Sequence, residues 1–458
     1  MRLGGFLFST PVLKEFPLEP PGQKRALLWV FAGAFALRLV AIPLCHGLGY
    51  TGDEREYIYL AQQVSQSGDF VDSNGERSTR SPLFPLMLSG VFAVAGEGLL
   101  LPHLLNCFFG ALAVVLGYLL CLRLGGDSRT ALVAALAMML YPGLIVYSAL
   151  LQTESLFILF FLAVFILSSR LLEQHSNMTS VMLGLVSGLA ALTRAVFLGF
   201  LPVLLLSILW IGKKRDQRML RPVLISLLTF CIVVLPWTIR NFLVHDTVVP
   251  ISTWAGKSLL IGNNPYATGT WSVNPGFNTW LEEQMHMRGV ADPSLLNEVQ
   301  VSELSGTIAF NYIASHPIHA LELAVKKLHM FWIYPVTHSD SYVPLQALAV
   351  SADFILLLGV ALGLVAFSHE RFNLILILGA ILVFSLTHIV LHAEARYRLP
   401  LVPLLCIFFG IGLSSVLRKE GLAGMLSRGK AKIVFSGMVC VLMTVYGFTG
   451  WLFLTGKI

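Results

Sequence analysis

Long apolar runs recur along the whole chain and determine its architecture. Each run contains roughly 17 to 25 residues, enough to cross the ~30 Å hydrocarbon core of a bilayer as a helix. The pattern predicts an all-α polytopic membrane protein with about 11 transmembrane helices. The predicted spans begin near Ala26, Leu99, Thr130, Ser155, Met178, Val196, Pro222, Leu345, Phe372, Leu399 and Ile433.

Two stretches near the first span have a different pattern. Residues 82–96 are apolar but short, and prolines stand at their start, which predicts a re-entrant or interfacial helix. Upstream of them, apolar residues at Tyr57, Leu60, Ala61 and Val64 share one helical face. This spacing predicts an amphipathic helix that lies on the outer membrane surface.

The interval 241–344 is the longest polar part of the chain. Its pattern predicts a helix around Leu295 to Ser315 and an interfacial helix near 320–334, where the basic pair Lys326-Lys327 and aromatic residues act as anchors. We expect these elements to form a compact cap over the outer face.

Composition and charge placement agree with a membrane protein and predict its orientation. Hydrophobic residues make up 56% of the chain, charged residues 12%, and the mean hydropathy is +0.77. Basic residues such as Lys213-Lys214-Arg215 concentrate in short loops, which predicts a cytoplasmic N-terminus and places the intervals 46–81 and 241–344 outside. The net charge of +6 therefore reflects topology. The scattered basic residues argue against a nucleic-acid-binding protein.

This topology divides the chain into four parts. They are a cytoplasmic tail (1–25), a transmembrane catalytic module (26–240) that includes the outer loop 46–81 and the short helix 82–96, an extracytoplasmic cap (241–344) and C-terminal transmembrane helices (345–458). The first apolar stretch is too long for a signal-peptide core, so we expect a mature helix in the plasma (inner) membrane. All six cysteines lie in apolar spans without CxxC spacing, which predicts small apolar packing residues.

The acidic pair Asp53-Glu54 follows the first span and is a candidate catalytic centre. The position also suits a structural role, because acidic residues at the start of a helix can cap it and interact favourably with its N-terminal dipole. The alternative is that one carboxylate takes a proton from an attacking hydroxyl or amine, or holds a divalent cation. Adjacent helical residues point about 100° apart. We therefore expect Asp53 to be the base and Glu54 to be a structural or metal-coordinating group.

Glu154 is the third candidate catalytic carboxylate. It follows Thr153 at the outer junction of the third and fourth predicted spans, where a helix-capping role competes with the catalytic one. If Asp53, Glu54 and Glu154 hold a cation, their oxygens suit Mg or Mn. Four histidines are possible extra ligands of such a cation, although their spacing matches no metal-binding pattern; they are His286, His316, His319 and His329.

Several arginines are expected at the same membrane depth as these acids. Guanidinium groups donate two parallel hydrogen bonds to phosphate oxygens, so a set of them predicts a phosphate site. The alternative for any one of them is an anchor whose charged end reaches the interface. The candidate phosphate-binding residues are Arg80, Arg194, Arg240, Arg396, Tyr397 and Arg398. Arg38 lies inside the first span and is expected to find partners within the bundle.

The chain resembles the C-type membrane glycosyltransferases, in particular the branch of protein mannosyltransferases and aminoarabinose-type lipid A transferases. The resemblance rests on the order and spacing of several short motifs. They are Gly52-Asp53-Glu54 with Tyr57 and Ala61, Arg80-Ser81-Pro82-Leu83-Phe84-Pro85, Thr153-Glu154-Ser155-Leu156, Ala191-Leu192-Thr193-Arg194, Pro236-Trp237-Thr238-Ile239-Arg240-Asn241, Gly262-Asn263-Asn264-Pro265 with Gly269, and Arg396-Tyr397-Arg398-Leu399-Pro400 with Pro403.

This resemblance implies a polyprenyl-phosphate-linked sugar as donor, used on the extracytoplasmic side. It further implies Asp53 as base, Glu154 as second acid, and Arg80 and Arg396 as ligands of the lipid phosphate. The family often has Lys and two prolines where this chain reads Arg80-Ser81-Pro82. Family acceptors include proteins, lipid A and glycans, and no motif selects among them. By analogy with glycoside chemistry, a single base predicts inversion at the anomeric carbon.

Two other function classes compete with the transferase. A transporter or flippase of a lipid-linked sugar requires charges at mid-membrane and broken half-helices at corresponding positions. A non-catalytic subunit would bind polyprenyl phosphate without transferring a sugar. The clustering of acids and arginines near the outer boundary favours the transferase.

Overall fold

The computed structural model describes residues 21–46, 52–271, 274–290, 292–333, 343–366 and 371–418, with a few helical positions between 435 and 443. Most of the tail 1–25 and most of the predicted span near Ile433 lie outside these residues. The N-terminal half consists of α1 (Pro21–His46), α2 (Gly52–Ser67), α3 (Leu83–Ala95), α4 (Leu100–Arg123), α5 (Ser128–Leu140), α6 (Pro142–Ala149), α7 (Glu154–Gln174), α8 (Asn177–Thr193), α9 (Phe197–Lys214) and α10 (Leu220–His245).

The remaining elements form the segment between α10 and α15, called the outer segment after the orientation expected from the charge pattern, and the C-terminal helices. The outer segment contains α11 (Trp254–Gly262), α12 (Pro275–His286), the short 3-10 helix η1 (Pro293–Leu295), α13 (Glu298–Ser315) and α14 (Pro317–Trp332). It is followed by α15 (Val343–Ala366), α16 (Arg371–Val390), the 3-10 helix η2 (Ala395–Leu401) and α17 (Val402–Val416).

The all-α polytopic class predicted from the sequence is confirmed. Within the described residues, seven helices are long and apolar enough to cross a membrane, and the bent pair α5–α6 can form an eighth span. The predicted spans near Met178 and Phe372 correspond to shorter apolar helices, Asn177–Thr193 and Leu374–Val390. The described residues therefore do not confirm the count of about 11. The predicted short helix after Pro82 is present as α3.

The bend between α5 and α6 has a local cause. Tyr141 has extended backbone angles (φ −68°, ψ 120°), and Pro142 occupies the first turn of α6. Because proline lacks the N–H that would continue the hydrogen-bond ladder, α5 ends here and the chain turns by 56°. This turn directs the end of α6 and the following connection, residues 150–153, towards the polar cavity described below.

Phenylalanine side chains fill the centre of the bundle around α7. Phe157, Phe161 and Phe165 lie on one face of α7, four residues apart, and are almost completely buried. Their rings contact Phe200 of α9 and Phe384 of α16, with centroid distances of 5.3–6.1 Å. These contacts hold together helices whose ends at one side of the bundle carry the site residues.

Small residues allow the closest helix contacts. On α8, a Cβ at Gly184 would lie 2.3 Å from the carbonyl oxygen of Ser226 on α10, and a Cβ at Gly188 would meet Val233. Helices in a bilayer gain stability from such close backbone approach, because apolar side chains gain little from leaving lipid for a neighbouring helix.

The outer helices agree with the sequence pattern. Helix α13 coincides with the predicted helix around Leu295 to Ser315, and its start is fixed by a capping box between Asn297 and Gln300. Helix α14 coincides with the predicted interfacial helix. A small apolar cluster that includes Leu260, Met285 and Ile308 joins α11, α12 and α13.

Four of the six cysteines are buried, as expected for apolar packing residues. Cys231 and Cys440 are exposed, which corrects that expectation for these two.

Arg38, inside the first span, is 1% exposed. Its Nε donates to Ser148 Oγ at 3.1 Å and its Nη1 to the carbonyl oxygen of Ala34 at 3.0 Å, so it finds partners within the bundle as predicted.

Arg398 was predicted to bind phosphate, but it lies inside the bundle. Its Nη2 donates to Asp353 on α15, its Nη1 donates to the carbonyl oxygen of Phe331 at 3.0 Å, and Tyr141 donates to the same Asp353 carboxylate. Arg398 is 2% exposed and does not line the polar cavity. Successive residues of a 3-10 helix such as η2 are rotated by about 120°, so residues two positions apart point in different directions. Arg396 faces the cavity, and Arg398 points into the bundle, where it ties η2 to α15.

We predict that Asp353→Ala destabilises the protein strongly. Removing one member of a buried ion pair leaves an uncompensated charge and costs about 3–5 kcal/mol. The double variant Asp353→Leu with Arg398→Met should recover most of this loss, because it removes both charges. Thermal unfolding in detergent micelles measures the difference. An Asp353→Ala protein as stable as the unsubstituted one would show that the pair does not stabilise η2.

Candidate active site

A polar cavity opens between α2, the segment before α3, the connection 150–153, the α8–α9 break and η2. These segments are far apart in sequence, so only the folded bundle brings them together. Six of the predicted site residues lie on its wall. They are Asp53, Glu154, Arg80, Arg194, Arg396 and Tyr397.

The charged residues of the cavity stand at helix ends and breaks. Asp53 is in the first turn of α2, and Glu154 is the first residue of α7. Arg194 follows α8 with extended backbone angles (φ −146°, ψ 117°) before α9 begins. Helix ends expose backbone polar groups and leave the apolar interior, so charges can converge there without crossing the helix-packed core.

Asp53 binds two arginines at once. Its Oδ1 lies 2.8 Å from Arg80 Nη2, and its Oδ2 lies 2.6 Å from Arg396 Nη1. Burial by itself would raise the pKa of the Asp53 carboxyl, but the positive charges of Arg396 and Arg80 and their hydrogen bonds outweigh burial and hold the pKa well below its usual range. Asp53 is therefore an ionised carboxylate with both oxygens occupied.

Each arginine has further contacts that fix its guanidinium group. Arg80 lies over the rings of Tyr57 (5.7 Å) and Trp254 (5.4 Å). Arg396 Nε lies 2.6 Å from Glu394 Oε2, and its Nη1 donates to Gln152 Oε1 at 3.0 Å. Gln152, Trp254 and Glu394 thus support the site.

Glu154 forms the second ion pair of the cavity. Its Oε1 accepts from Arg194 Nη1 at 2.7 Å, while Thr153 Oγ1 accepts from the same nitrogen at 3.3 Å. The Thr153 side chain makes no capping hydrogen bond to α7. The other oxygen, Glu154 Oε2, is buried and has no hydrogen-bond partner among the described residues.

Tyr397 lies between the two ion pairs. The guanidinium groups of Arg194 and Arg396 lie 5.4 and 5.3 Å from its ring centroid, and the His388 ring stacks on it at 4.5 Å. Its hydroxyl lies 3.0 Å from His392 Nε2, and His392 Nδ1 lies 2.8 Å from Ser258 Oγ.

The sequence did not identify several of these supporting residues. His392 precedes the Arg396 motif closely and could have been found by its position, whereas Ser258 and Trp254 lie in the outer segment and carry no signal beyond residue type. Burial lowers the pKa of His392, so the ring is neutral at pH 7.

Glu54 and Asp53 point in different directions, as their helical spacing predicts. Glu54 is fully buried, and its Oε1 accepts from the backbone N–H of Leu151 at 2.7 Å. It does not line the cavity. This contact fixes α2 to the connection 150–153, which carries Gln152 and leads to Glu154, so the position of Glu54 supports its structural reading.

Arg240 also lies outside the cavity. Its Nη1 donates to the carbonyl oxygen of Arg77 (2.8 Å) and to Ser78 Oγ (2.9 Å), and its Nη2 to the carbonyl oxygen of Phe70 (3.1 Å). These acceptors precede Arg80 in the chain. Arg240 is thus placed to hold the segment that carries Arg80, at a distance from the phosphate site predicted for it.

The carboxylates of the cavity do not fit the predicted metal site. No three His, Cys, Asp or Glu side chains come together as a metal site within the described ranges. Both oxygens of Asp53 face guanidinium groups, whose positive charge would repel a Mg or Mn ion. Of the four histidines considered as extra ligands, His319 contacts the Tyr312 hydroxyl at 2.7 Å and His316 stacks on the same ring, and neither lines the cavity.

Comparisons with known proteins support the resemblance drawn from the motifs. Residues 101–247 match the family described as dolichyl-phosphate-mannose-protein mannosyltransferase. The undecaprenyl phosphate-alpha-4-amino-4-deoxy-L-arabinose arabinosyl transferase of Pseudomonas aeruginosa is 28% identical over 225 residues, 47% of this chain and 40% of the relative. The corresponding transferase 2 of Pseudomonas fluorescens is 30% identical over 222 residues, 46% of this chain and 37% of the relative.

The predicted resemblance to C-type membrane glycosyltransferases of the protein mannosyltransferase and aminoarabinose transferase branch is thereby confirmed. The chain spans about 40% of the length of the curated relatives it matches. The crystal structure of the Archaeoglobus fulgidus oligosaccharyltransferase in the apo form superposes with a TM-score of 0.54 at 13% identity, covering 93% of this chain and 56% of that one. This similarity shows a shared fold.

We predict that Glu54→Ala lowers stability, whereas Glu54→Gln changes it little. Alanine leaves the buried Leu151 N–H without its acceptor, which costs about 1–3 kcal/mol, while the glutamine amide oxygen can keep that bond. Thermal unfolding of both variants in detergent measures the effect. Equal losses for Ala and Gln would contradict the hydrogen-bonding role and point to the charge of Glu54 instead.

Proposed function

We propose, from this family resemblance, that the chain is an integral-membrane glycosyltransferase that moves a sugar from a polyprenyl-phosphate donor to an extracytoplasmic acceptor. The observation that carries the proposal is the cavity wall on which Asp53 lies between Arg80 and Arg396. It combines a carboxylate that can take a proton with guanidinium groups that can hold a phosphate.

The reaction needs these two functions close together. A nucleophilic oxygen or nitrogen of the acceptor attacks the anomeric carbon, and its proton passes to Asp53. The bond between the anomeric carbon and the phosphate oxygen breaks, and its electron pair leaves with the polyprenyl phosphate. Arg80 and Arg396 stabilise the negative charge that develops on this leaving group.

Glu154 provides a further contact for the substrate. Its buried Oε2 has no hydrogen-bond partner among the described residues, so a donor group of the substrate would satisfy it. A sugar hydroxyl or an amino group has the required chemistry. Arg194 holds the other oxygen and thereby fixes the carboxylate.

The described residues favour a reaction at the outer face of the membrane. The cavity is covered by α11 and the segment before α3, which belong to the intervals that the charge pattern places outside. We propose that the N-terminus is cytoplasmic, that the protein resides in the inner membrane, and that the donor sugar enters the cavity at headgroup depth while its lipid chain stays in the bilayer.

We predict that Asp53→Asn reduces sugar transfer by about 10²-fold or more, because the amide cannot accept the proton. Membranes containing the protein would be supplied with a panel of undecaprenyl-phosphate-linked hexoses and pentoses and with envelope extract as acceptor source. Release of undecaprenyl phosphate is the readout. Asp69→Asn, which alters an exposed carboxylate of the same outer loop, is the control and should retain activity. Full turnover in Asp53→Asn would remove Asp53 from the chemistry.

We further predict that the product has the anomeric configuration opposite to that of the donor. One base acting on the face opposite the leaving phosphate produces a single displacement. Nuclear magnetic resonance of the product formed from a donor of defined configuration gives the answer. Retention of configuration would contradict the role of Asp53 as a base that acts on the face opposite the leaving phosphate.

A further inference from the structure

The base and the leaving group have the same partners in this cavity. Both oxygens of Asp53 are held by Arg80 and Arg396, at 2.8 and 2.6 Å. Guanidinium groups bind carboxylates and phosphates through the same paired N–H donors. The two anions therefore compete for one pair of cations.

In this arrangement Asp53 is a poor base. Accepting a proton would require the carboxylate to give up two charge-assisted hydrogen bonds, which the low pKa of Asp53 expresses. General-base catalysis is most efficient when the pKa of the base lies near the working pH. The structure thus shows the proposed base in a form that needs activation.

The two arginines have independent support that would remain if Asp53 released them. Arg396 keeps its contacts to Glu394 (2.6 Å) and Gln152 (3.0 Å). Arg80 keeps its position over the rings of Tyr57 and Trp254. A phosphate can therefore replace the carboxylate between two guanidinium groups that are already in place.

We infer that Asp53 occupies the phosphate site in the free protein, and that the donor phosphate displaces it from Arg80 and Arg396 and thereby activates it as the base. This inference rests on the proposed function. Asp53, free of its two cations, regains proton affinity only when a donor is bound, so activation and substrate binding coincide. Glu394 and Gln152 act as positioning residues that retain Arg396 during the exchange.

Competition makes an unusual prediction about binding. If phosphate must displace the Asp53 carboxylate, then Asp53→Asn removes the competitor and should tighten the binding of undecaprenyl phosphate by roughly tenfold, even though the same variant loses transfer. Simple participation of Asp53 in substrate binding predicts the reverse, a weaker complex.

Glu394→Gln is the matched control. Glu394 and Asp53 are equally exposed (20%), carry the same charge, and lie at 2.6 Å from the same arginine. A general loss of negative charge near the phosphate would tighten binding equally in both variants. Exchange predicts tightening only for Asp53→Asn, because Glu394 holds Arg396 from a side that the phosphate does not need.

The experiment measures binding of undecaprenyl monophosphate to the full chain in lipid nanodiscs, with undecaprenol and inorganic phosphate as separate probes. Tighter binding by Asp53→Asn, unchanged or weaker binding by Glu394→Gln, and loss of the gain in Asp53→Asn with Arg396→Met would support the exchange. Equal or weaker binding by Asp53→Asn, or equal tightening by both single variants, would overturn it while leaving the transferase intact.

Two further results complete the test. If the unsubstituted protein binds undecaprenyl monophosphate no better than undecaprenol, both the exchange and the proposed donor fail. If Asp53→Asn is too unstable to purify without ligand, the rise in unfolding temperature on adding undecaprenyl monophosphate replaces the affinity. Exchange predicts a larger rise for this variant than for the unsubstituted protein, because the Asp53 carboxylate no longer competes with the phosphate for Arg80 and Arg396, and a smaller or equal rise would overturn the inference.

Discussion

The ion pairs between Asp53 and the two arginines are the contact on which the candidate site depends. They join the start of α2, the segment before α3 and η2, three segments separated by more than three hundred positions between the first and the last. In a chain with 12% charged residues, buried charges persist where each has a partner of opposite sign. The same pairing that makes these charges tolerable also gathers a carboxylate and two guanidinium groups on one cavity wall.

Much of the architecture could be predicted because its physical signal is local. A long apolar run must satisfy its backbone hydrogen bonds internally, so α4, α7 and α10 follow from composition alone. The amphipathic spacing of Tyr57, Leu60 and Ala61 likewise predicted α2, with Leu60 and Ala61 buried. The bent pair α5–α6 was harder, because one apolar run is divided by Tyr141-Pro142 into two helices that a hydropathy pattern merges.

The site could be predicted only in part, because the direction of a side chain depends on its neighbours. Arg396 and Arg398 are two positions apart in one short motif, yet Arg396 faces the cavity and Arg398 pairs with Asp353 inside the bundle. Nothing in the motif distinguishes them, since Asp353 comes from a distant apolar span. The sequence could predict different roles for Asp53 and Glu54, because the side chains of adjacent helical residues point about 100° apart. Arg240 resembled a phosphate ligand by its position, but it donates to the backbone oxygens of residues 70 and 77 and to the Ser78 hydroxyl.

Charge conservation links the proposed chemistry to the arrangement of the cavity. A sugar attached to a polyprenyl phosphate leaves one negative charge on the phosphate, and bond cleavage adds a second as the monoester forms, while proton transfer removes the charge of Asp53. The total negative charge near Arg80 and Arg396 is thus the same before and after the reaction. When Asp53 loses its proton to water, it again competes for both arginines and weakens their hold on the product phosphate. The ion pairs that keep Asp53 from acting as a base before the donor binds therefore also favour release of the product lipid phosphate. The same exchange of ion pairs acts at the first and at the last step of the catalytic cycle.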